Sequence, residues 1–246
     1  LAVPPAAAGI GITDGKTLIV ADYYNDALSF ATLKSGVWTK TSELDLRPGK
    51  IDPANSGIPG GEYPYWVSVK GHTTVYVSSI RDREIDVVDI SSTPTVAARI
   101  KVKGQPNKMV LNSAQSTLYV AEDETDTVDV IDTVTNKITA TILVGMPAGL
   151  SAHEKYTGHN TNSVTLSPDE KTLYVTNANS NDVAVVRLSS RAGSPATVGL
   201  IHTGWYPTSV SFNSDGSYMY VINFKFKCLN IFKKQIGPHV GSSGIR

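Results

Sequence analysis

Between Gly9 and Asn223 apolar and polar residues alternate with period two in short runs, and no stretch sustains the 3.6-residue periodicity of a helix. One run, Thr172 to Ala178, is repeated in near-copy at residues 17–23, 74–80, 117–123 and 218–224. Successive starts lie 57, 43, 55 and 46 residues apart. That is the spacing of a propeller blade of four short strands, lengthened in two places by inserts. The pattern predicts an all-β chain, a β-propeller of four-stranded antiparallel blades.

Each copy sits second in a module whose other strands are marked by alternation and turn chemistry. Modules are predicted at 9–45, 64–102, 106–144 and 162–204, with part of a fifth at 207–233. Repeats thus occupy residues 1–224, a strand at 228–232 extends the fifth module, and 234–246 reads as a flexible tail. First and second strands are joined by Thr13-Asp14-Gly15-Lys16, Ser167-Pro168-Asp169-Glu170-Lys171 and Asn213-Ser214-Asp215-Gly216-Ser217. Pro presets φ, Asp and Asn bond their own backbone, and Gly accepts positive φ, so these are hairpin turns. In the second strands both alternating sets are apolar or aromatic, with Leu173 and Val175 on one side and Tyr174 on the other. A blade pressed between two neighbours needs that; a half-solvated sheet does not.

Inserts at 46–63 and 145–161 both connect a fourth strand to the next first strand. They emerge on the face that also carries the loops between second and third strands. Loops held by a rigid scaffold are where binding residues gather. The predicted ligand or partner face comprises Arg81, Asp82 and Arg83 in one such loop. It is completed by Tyr65, Trp66, Asn107, Asn160, Trp205 and Tyr206 at the entrances to the first strands, which ring the mouth of the central channel. Two guanidiniums flanking a carboxylate suit an anionic ligand or acidic patch, and also suit ion pairing between blades. The aromatic residues suit sugar or peptide.

Of 246 residues 41% are hydrophobic and 18% charged, enough to build a core. The 22 basic and 22 acidic residues cancel, which gives no field favouring nucleic acid. No apolar run reaches the length of a membrane span. The single cysteine, Cys228, excludes an internal disulfide. His153, Glu154 and His159 are the only metal candidates in the inserts, and their spacing matches no strong metal motif. No nucleophile motif stands out, so no catalytic residue, metal or cofactor is predicted.

The strings Ser167-Pro168-Asp169-Glu170-Lys171-Thr172-Leu173-Tyr174-Val175-Thr176-Asn177 and Ser180-Asn181-Asp182-Val183-Ala184-Val185-Val186 resemble the bacterial YVTN-type (YncE-like) propeller repeat. That resemblance implies seven blades and a periplasmic, extracellular or surface-layer setting. Gly199 to Val210 looks like the propeller half of proteins that carry a phosphoesterase domain of the alkaline-phosphatase type. None of that domain's metal or nucleophile pattern is present, so no catalytic residue carries over. Four complete modules and part of a fifth fall short of seven, and open blade faces imply self-association or a partial chain.

Three functions follow as expectations. The first is a non-catalytic extracytoplasmic module holding a protein, glycan or cell-envelope ligand on the loop-rich face. The second is the propeller portion of a metal-dependent phosphoesterase. The third is a lactonase-type propeller enzyme, which requires acid, base or metal residues converging at the channel mouth.

Overall fold

In the computed structural model, described over residues 6–14, 16–48, 62–145, 158–188, 194–225 and 229–233, the chain folds as five antiparallel sheets. His153, Glu154, Cys228, most of both inserts and residues 234–246 lie outside the described residues. The first sheet holds β1 (Ala7–Thr13), β2 (Thr17–Asp22), β3 (Ala27–Lys34) and β4 (Val37–Asp45). The second holds β5 (Pro64–Lys70), β6 (Thr74–Ser79), β7 (Glu84–Asp89) and β8 (Thr95–Lys101). The third is β9 (Gln105–Leu111), β10 (Thr117–Asp123), β11 (Thr127–Asp132) and β12 (Lys137–Leu143). The fourth is β13 (Thr161–Leu166), β14 (Thr172–Asn177), β15 (Asp182–Arg187) and β16 (Ala196–His202). The fifth shows three strands, β17 (Pro207–Phe212), β18 (Tyr218–Asn223) and β19 (Leu229–Lys233). Every sheet is a meander in which each strand pairs with the next, and the sheets are the blades of a β-propeller. No helix among the described residues is long and apolar enough to cross a membrane.

Consecutive first strands adjoin, β1 to β5, β5 to β9, β9 to β13 and β13 to β17, and form the inner ring. Each pairs irregularly with its second strand near its start, between Pro64 and Val67 or Pro207 and Ser209, for example. Proline fits there because it removes a ladder donor where the ladder is already interrupted.

There is no single core but a slab between each consecutive pair of blades. Leu118 and Val120 of β10 pack with Tyr76, Ile85 and Val87 of the second blade. Tyr119 and Ala121 of the same strand pack with Val164, Leu173 and Val175 of the fourth. Alternation along one strand therefore feeds two slabs, which is why both faces of the second strands are apolar. Tyr174 points away from Leu173 and Val175 and meets Phe212 of the fifth blade, ring centres 5.2 Å apart.

A polar latch repeats at the loop-rich end. Asp26, Arg83, Asp126 and Asn181 occupy the same hairpin position between second and third strands, all with φ between 52° and 59°. Their carbonyls accept the amides of Leu46, Val102, Val144 and Thr203 at the ends of the fourth strands. Three of the side chains also grip the chain entering the next blade: Asp26 accepts from the Tyr63 amide at 3.1 Å, Asp126 from Gly158 at 2.7 Å and Asn181 from Tyr206 at 2.9 Å. Asp and Asn tolerate left-handed backbone better than other non-glycine residues, so conformation and hydrogen bonding select the same residue types.

Tyr174→Asp is expected to open the fourth slab, because it sets a carboxylate against Ile201, Phe212 and Phe232 in place of a packed ring, at a cost on the order of 3 kcal/mol or more. Thermal melting checks it: Tyr174→Phe should melt near the parent, and an unchanged melt for Tyr174→Asp would show that the slab does not close.

Candidate functional site

The sequence-predicted residues fall at different blade junctions. Tyr63 has φ 47° and stacks on Tyr23 at 5.0 Å, with the Arg81 guanidinium 5.7 Å above its ring. Tyr65 is partly exposed nearby in sequence, on β5. At the fourth and fifth blades, Trp205 is 61% exposed. With Asn179, Asn181, Tyr206 and Lys225 it lines a cleft of about 230 Å³. The Tyr206 hydroxyl donates to Asn160 Oδ1 at 3.2 Å, and Asn160 Nδ2 donates to Asp123 at 2.6 Å. Asn107 Nδ2 donates to the Thr161 carbonyl at 3.4 Å. Asn107 and Asn160 are thus engaged in holding neighbouring strands.

Arg81, Asp82 and Arg83 diverge. Because Arg83 occupies the latch position and cannot accept a hydrogen bond, its guanidinium reaches forward to the Lys103 carbonyl at 3.2 Å and to Glu124 at 2.5 Å. Asp82 instead joins Glu62 and Glu84, with carboxylate oxygens within 4.8 Å of one another. The centre of this group is Arg99. Its Nη1 lies 2.9 Å from Glu62, 2.7 Å from Glu84 and 2.8 Å from Asp86. Its Nη2 donates to the Leu46 carbonyl at the end of the first blade, and Lys101 pairs with Glu84. Four carboxylates face two cations, and burial raises the pKa of Glu62, Asp82 and Asp86. His159 is described, and its imidazole lies against Gly145.

The third blade carries a second buried acid pair. Glu122 accepts from the Gly104 amide at 2.8 Å, while its Oε1 meets no donor. Burial, then the hydrogen bond and charge of Asp129, push its pKa up to about 8. A proton on Glu122 supplies the bond that its second oxygen lacks. Asp129 is held by the Thr141 hydroxyl at 2.5 Å.

Along the ring of first strands the register sets four residues at one level, each two positions after Pro64, Pro106, Thr161 or Pro207: Trp66, Lys108, Ser163 and Ser209. Lys108 on β9 places Nζ 4.9 Å over the Trp66 ring on β5 and 3.3 Å from Ser209 Oγ on β17. A side chain that touches blades on both sides, two blades away on one of them, lies in the central channel. Burial lowers the Lys108 pKa, and among the described residues no carboxylate pairs with it. Ser163 is buried, and its hydroxyl lacks a partner. Sequence reasoning named Trp66 but stopped one residue before Lys108, at Asn107, and three before Ser163 and Ser209, at Asn160 and Tyr206. The triplets Pro106-Asn107-Lys108, Thr161-Asn162-Ser163 and Pro207-Thr208-Ser209, aligned by blade, carry the signal.

A family model described as "Lactonase, 7-bladed beta-propeller" matches residues 106–237, more than half of the chain. No curated protein sequence matches. Among solved structures, hydrazine synthase of Kuenenia stuttgartiensis is 22% identical with a TM-score of 0.67, over 89% of this chain and 56% of that one. A candidate 6-phosphogluconolactonase of Bacteroides fragilis is 17% identical with a TM-score of 0.73, over 91% and 65%. Virginiamycin B lyase of Staphylococcus aureus, in its catalytically inactive H270A form with quinupristin, is 12% identical with a TM-score of 0.62, over 94% and 71%. At these identities the likeness is one of fold. The chain spans 56% to 65% of the length of the first two.

Because the folded pKa of Glu122 is raised from its ordinary 4.5, its contribution to stability is full below pH 4.5 and is lost as pH rises toward about 8. Every tenfold change in how tightly a carboxyl holds its proton corresponds to about 1.4 kcal/mol. Glu122→Gln, which keeps a donor, should flatten that slope and raise the melting temperature at pH 8. Parallel melting-versus-pH curves for parent and variant would show that Glu122 is not the titrating group.

Proposed function

The chain belongs to the seven-bladed lactonase β-propeller family, and we propose that its central channel hydrolyses a small cyclic ester. The observation that carries this reading is Lys108. A half-buried amine, with no carboxylate among the described residues to hold its proton, stands beside a hydroxyl and the face of Trp66. A lysine of lowered pKa serves near neutrality as an acid–base group, and its ammonium form stabilises negative charge developing on a carbonyl oxygen. Trp66 offers an apolar wall against which a lactone ring packs. Opening the ring adds water: a C–O bond forms at the carbonyl carbon, the ring C–O bond breaks, and the ring oxygen leaves protonated as a hydroxyl. The acid, base or metal set expected at the mouth of a lactonase-type channel is thereby supplied by Lys108 and the hydroxyls around it.

Turnover of a panel of γ- and δ-lactones by the intact protein tests the proposal, followed as acid release at constant pH. Lys108→Met should lower kcat/KM at least about 100-fold, as loss of an acid–base group does, without lowering the melting temperature. Equal turnover by parent and variant would overturn it.

A second reading is supported by the exposed Trp205 and its cleft of about 230 Å³. It keeps the loop-rich face as a binding surface for a glycan, protein or cell-envelope ligand, in the extracytoplasmic setting that the YVTN-type motifs suggest. Exposed Ile222, Leu229 and Ile231 on the fifth blade are the surface through which self-association would run. Trp205→Ala should abolish retention on a glycan array if this reading holds; an array blank for the parent removes the glycan.

A further inference from the structure

We propose that Ser209 is a nucleophile activated by Lys108, so that the channel works through a covalent acyl-enzyme. This rests on the lactone-hydrolysis reading and deepens it. The family match assigns no residue, and the sequence shows no Gly-x-Ser-x-Gly elbow, so the dyad is visible only from the register of the first strands.

Three observations converge. The Lys108 amine and the Ser209 hydroxyl are 3.3 Å apart, within reach for proton transfer on a modest adjustment. The two residues come from strands separated by 101 positions and a whole intervening blade, so the contact is made across the channel rather than within a sheet. Ser209 is half-buried at the irregular start of β17, and so remains reachable from the channel. Its strand neighbours Pro207 and Val210 are buried against the sheet and the fourth slab, which fixes the backbone that carries the hydroxyl.

Among the described residues no carboxylate pairs with Lys108. At the loop-rich face Arg99 is taken up by Glu62, Glu84 and Asp86, and Arg83 by Glu124. Lys108 has a ring face and a hydroxyl. Desolvation favours its neutral amine, the form that accepts a proton from serine. Serine–lysine pairs are an established chemical solution to acyl transfer on unrelated folds.

The sequence of bonds balances without a further reagent. Ser209 Oγ bonds to the lactone carbonyl carbon as its proton passes to the neutral Lys108 Nζ, whose ammonium form then stabilises the oxyanion. Collapse breaks the ring C–O bond, and the Lys108 ammonium returns the proton to the departing ring oxygen. The product at this point is an ester of Ser209 that carries the freed hydroxyl at the far end of its acyl chain. Water, losing a proton to Lys108, then attacks that ester. Ser209 Oγ leaves with the proton from Lys108, and the hydroxy acid ionises into solvent.

The test is covalent capture, which does not depend on knowing the substrate. The intact protein is incubated with a fluorophosphonate and, separately, with a simple β-lactone, and the adduct is located by mass spectrometry of its peptides. One adduct on the peptide carrying Ser209 is expected. It should form faster as pH rises through a value below the ordinary lysine 10.5, and should be lost in Ser209→Ala. In Lys108→Met it should form at least about 100-fold more slowly. Ser209→Cys should recover an adduct with the β-lactone. An adduct on another residue, or none, overturns the dyad. So does Ser209→Ala that turns over lactones within about threefold of the parent, a change far smaller than loss of a nucleophile brings. In that last case lactone hydrolysis stands and Lys108 activates water directly. A parent that forms the Ser209 adduct yet opens no lactone would instead retain the dyad and overturn the lactone.

Discussion

Each interior blade has to bury two apolar faces at once, and most of the fold follows from that requirement. A sheet only one strand thick cannot shield its own sides, so β10 gives Leu118 and Val120 to one slab and Tyr119 and Ala121 to the next. Stability is therefore assembled from neighbour interfaces, as in other repeat architectures. On the outer blades the same alternation leaves Ile10 and Ile12, and at the other end Ile222, Leu229 and Ile231, in contact with solvent.

Stacking alone would let blades slide, because apolar slabs have little directional preference. Direction comes from the latch position, where Asp26, Asp126 and Asn181 bond to the chain entering the following blade. Arg83 breaks the rule and reaches an acid on the next blade instead. Arg99 does the reverse, clasping Leu46 of the preceding blade while gathering three carboxylates of its own neighbourhood. Buried acids are tolerated at this end because a guanidinium, an amide or a hydroxyl meets them, as Arg99 meets Glu62, the Gly104 amide Glu122 and the Ser29 hydroxyl Asp22. Their raised pKa values thus report a structural office.

The blades were legible from sequence because their cause is periodic: alternation sets the strands, and Asp, Asn, Gly and Pro at fixed offsets set the turns. The site was less legible because its causes are not local. Arg81, Asp82 and Arg83 are consecutive, yet one meets a tyrosine ring, one an acid group and one the following blade. Lys108 and Ser209 are 101 positions apart, and neither belongs to a short motif. Only aligning the first strands by Pro64, Pro106, Thr161 and Pro207 brings Trp66, Lys108, Ser163 and Ser209 to one level. Loop length and polarity drew attention to the outer face, whereas the inner ring is written in strands that otherwise read as scaffold.

The distinction between the two regions lies in which polar groups are already engaged. On the loop-rich face, side chains such as Asn107, Asn160 and Arg83 carry strand-to-strand bonds, and removing them would loosen the blades before it touched a ligand. Unpartnered buried oxygens occur in both regions, at Asp86, Glu122 and Asp126 on the loop-rich face and at Ser163 on the first strands. Among the described residues Lys108 has no carboxylate beside it, and Ser163 has a buried hydroxyl that no neighbour completes. An amine costs stability wherever it is desolvated, and what the structure sets beside this one is the ring face of Trp66 and the Ser209 hydroxyl. The propeller's contribution is to bring side chains of three separate strands, Trp66, Lys108 and Ser209, into contact, a task that no single strand or loop of this chain could perform.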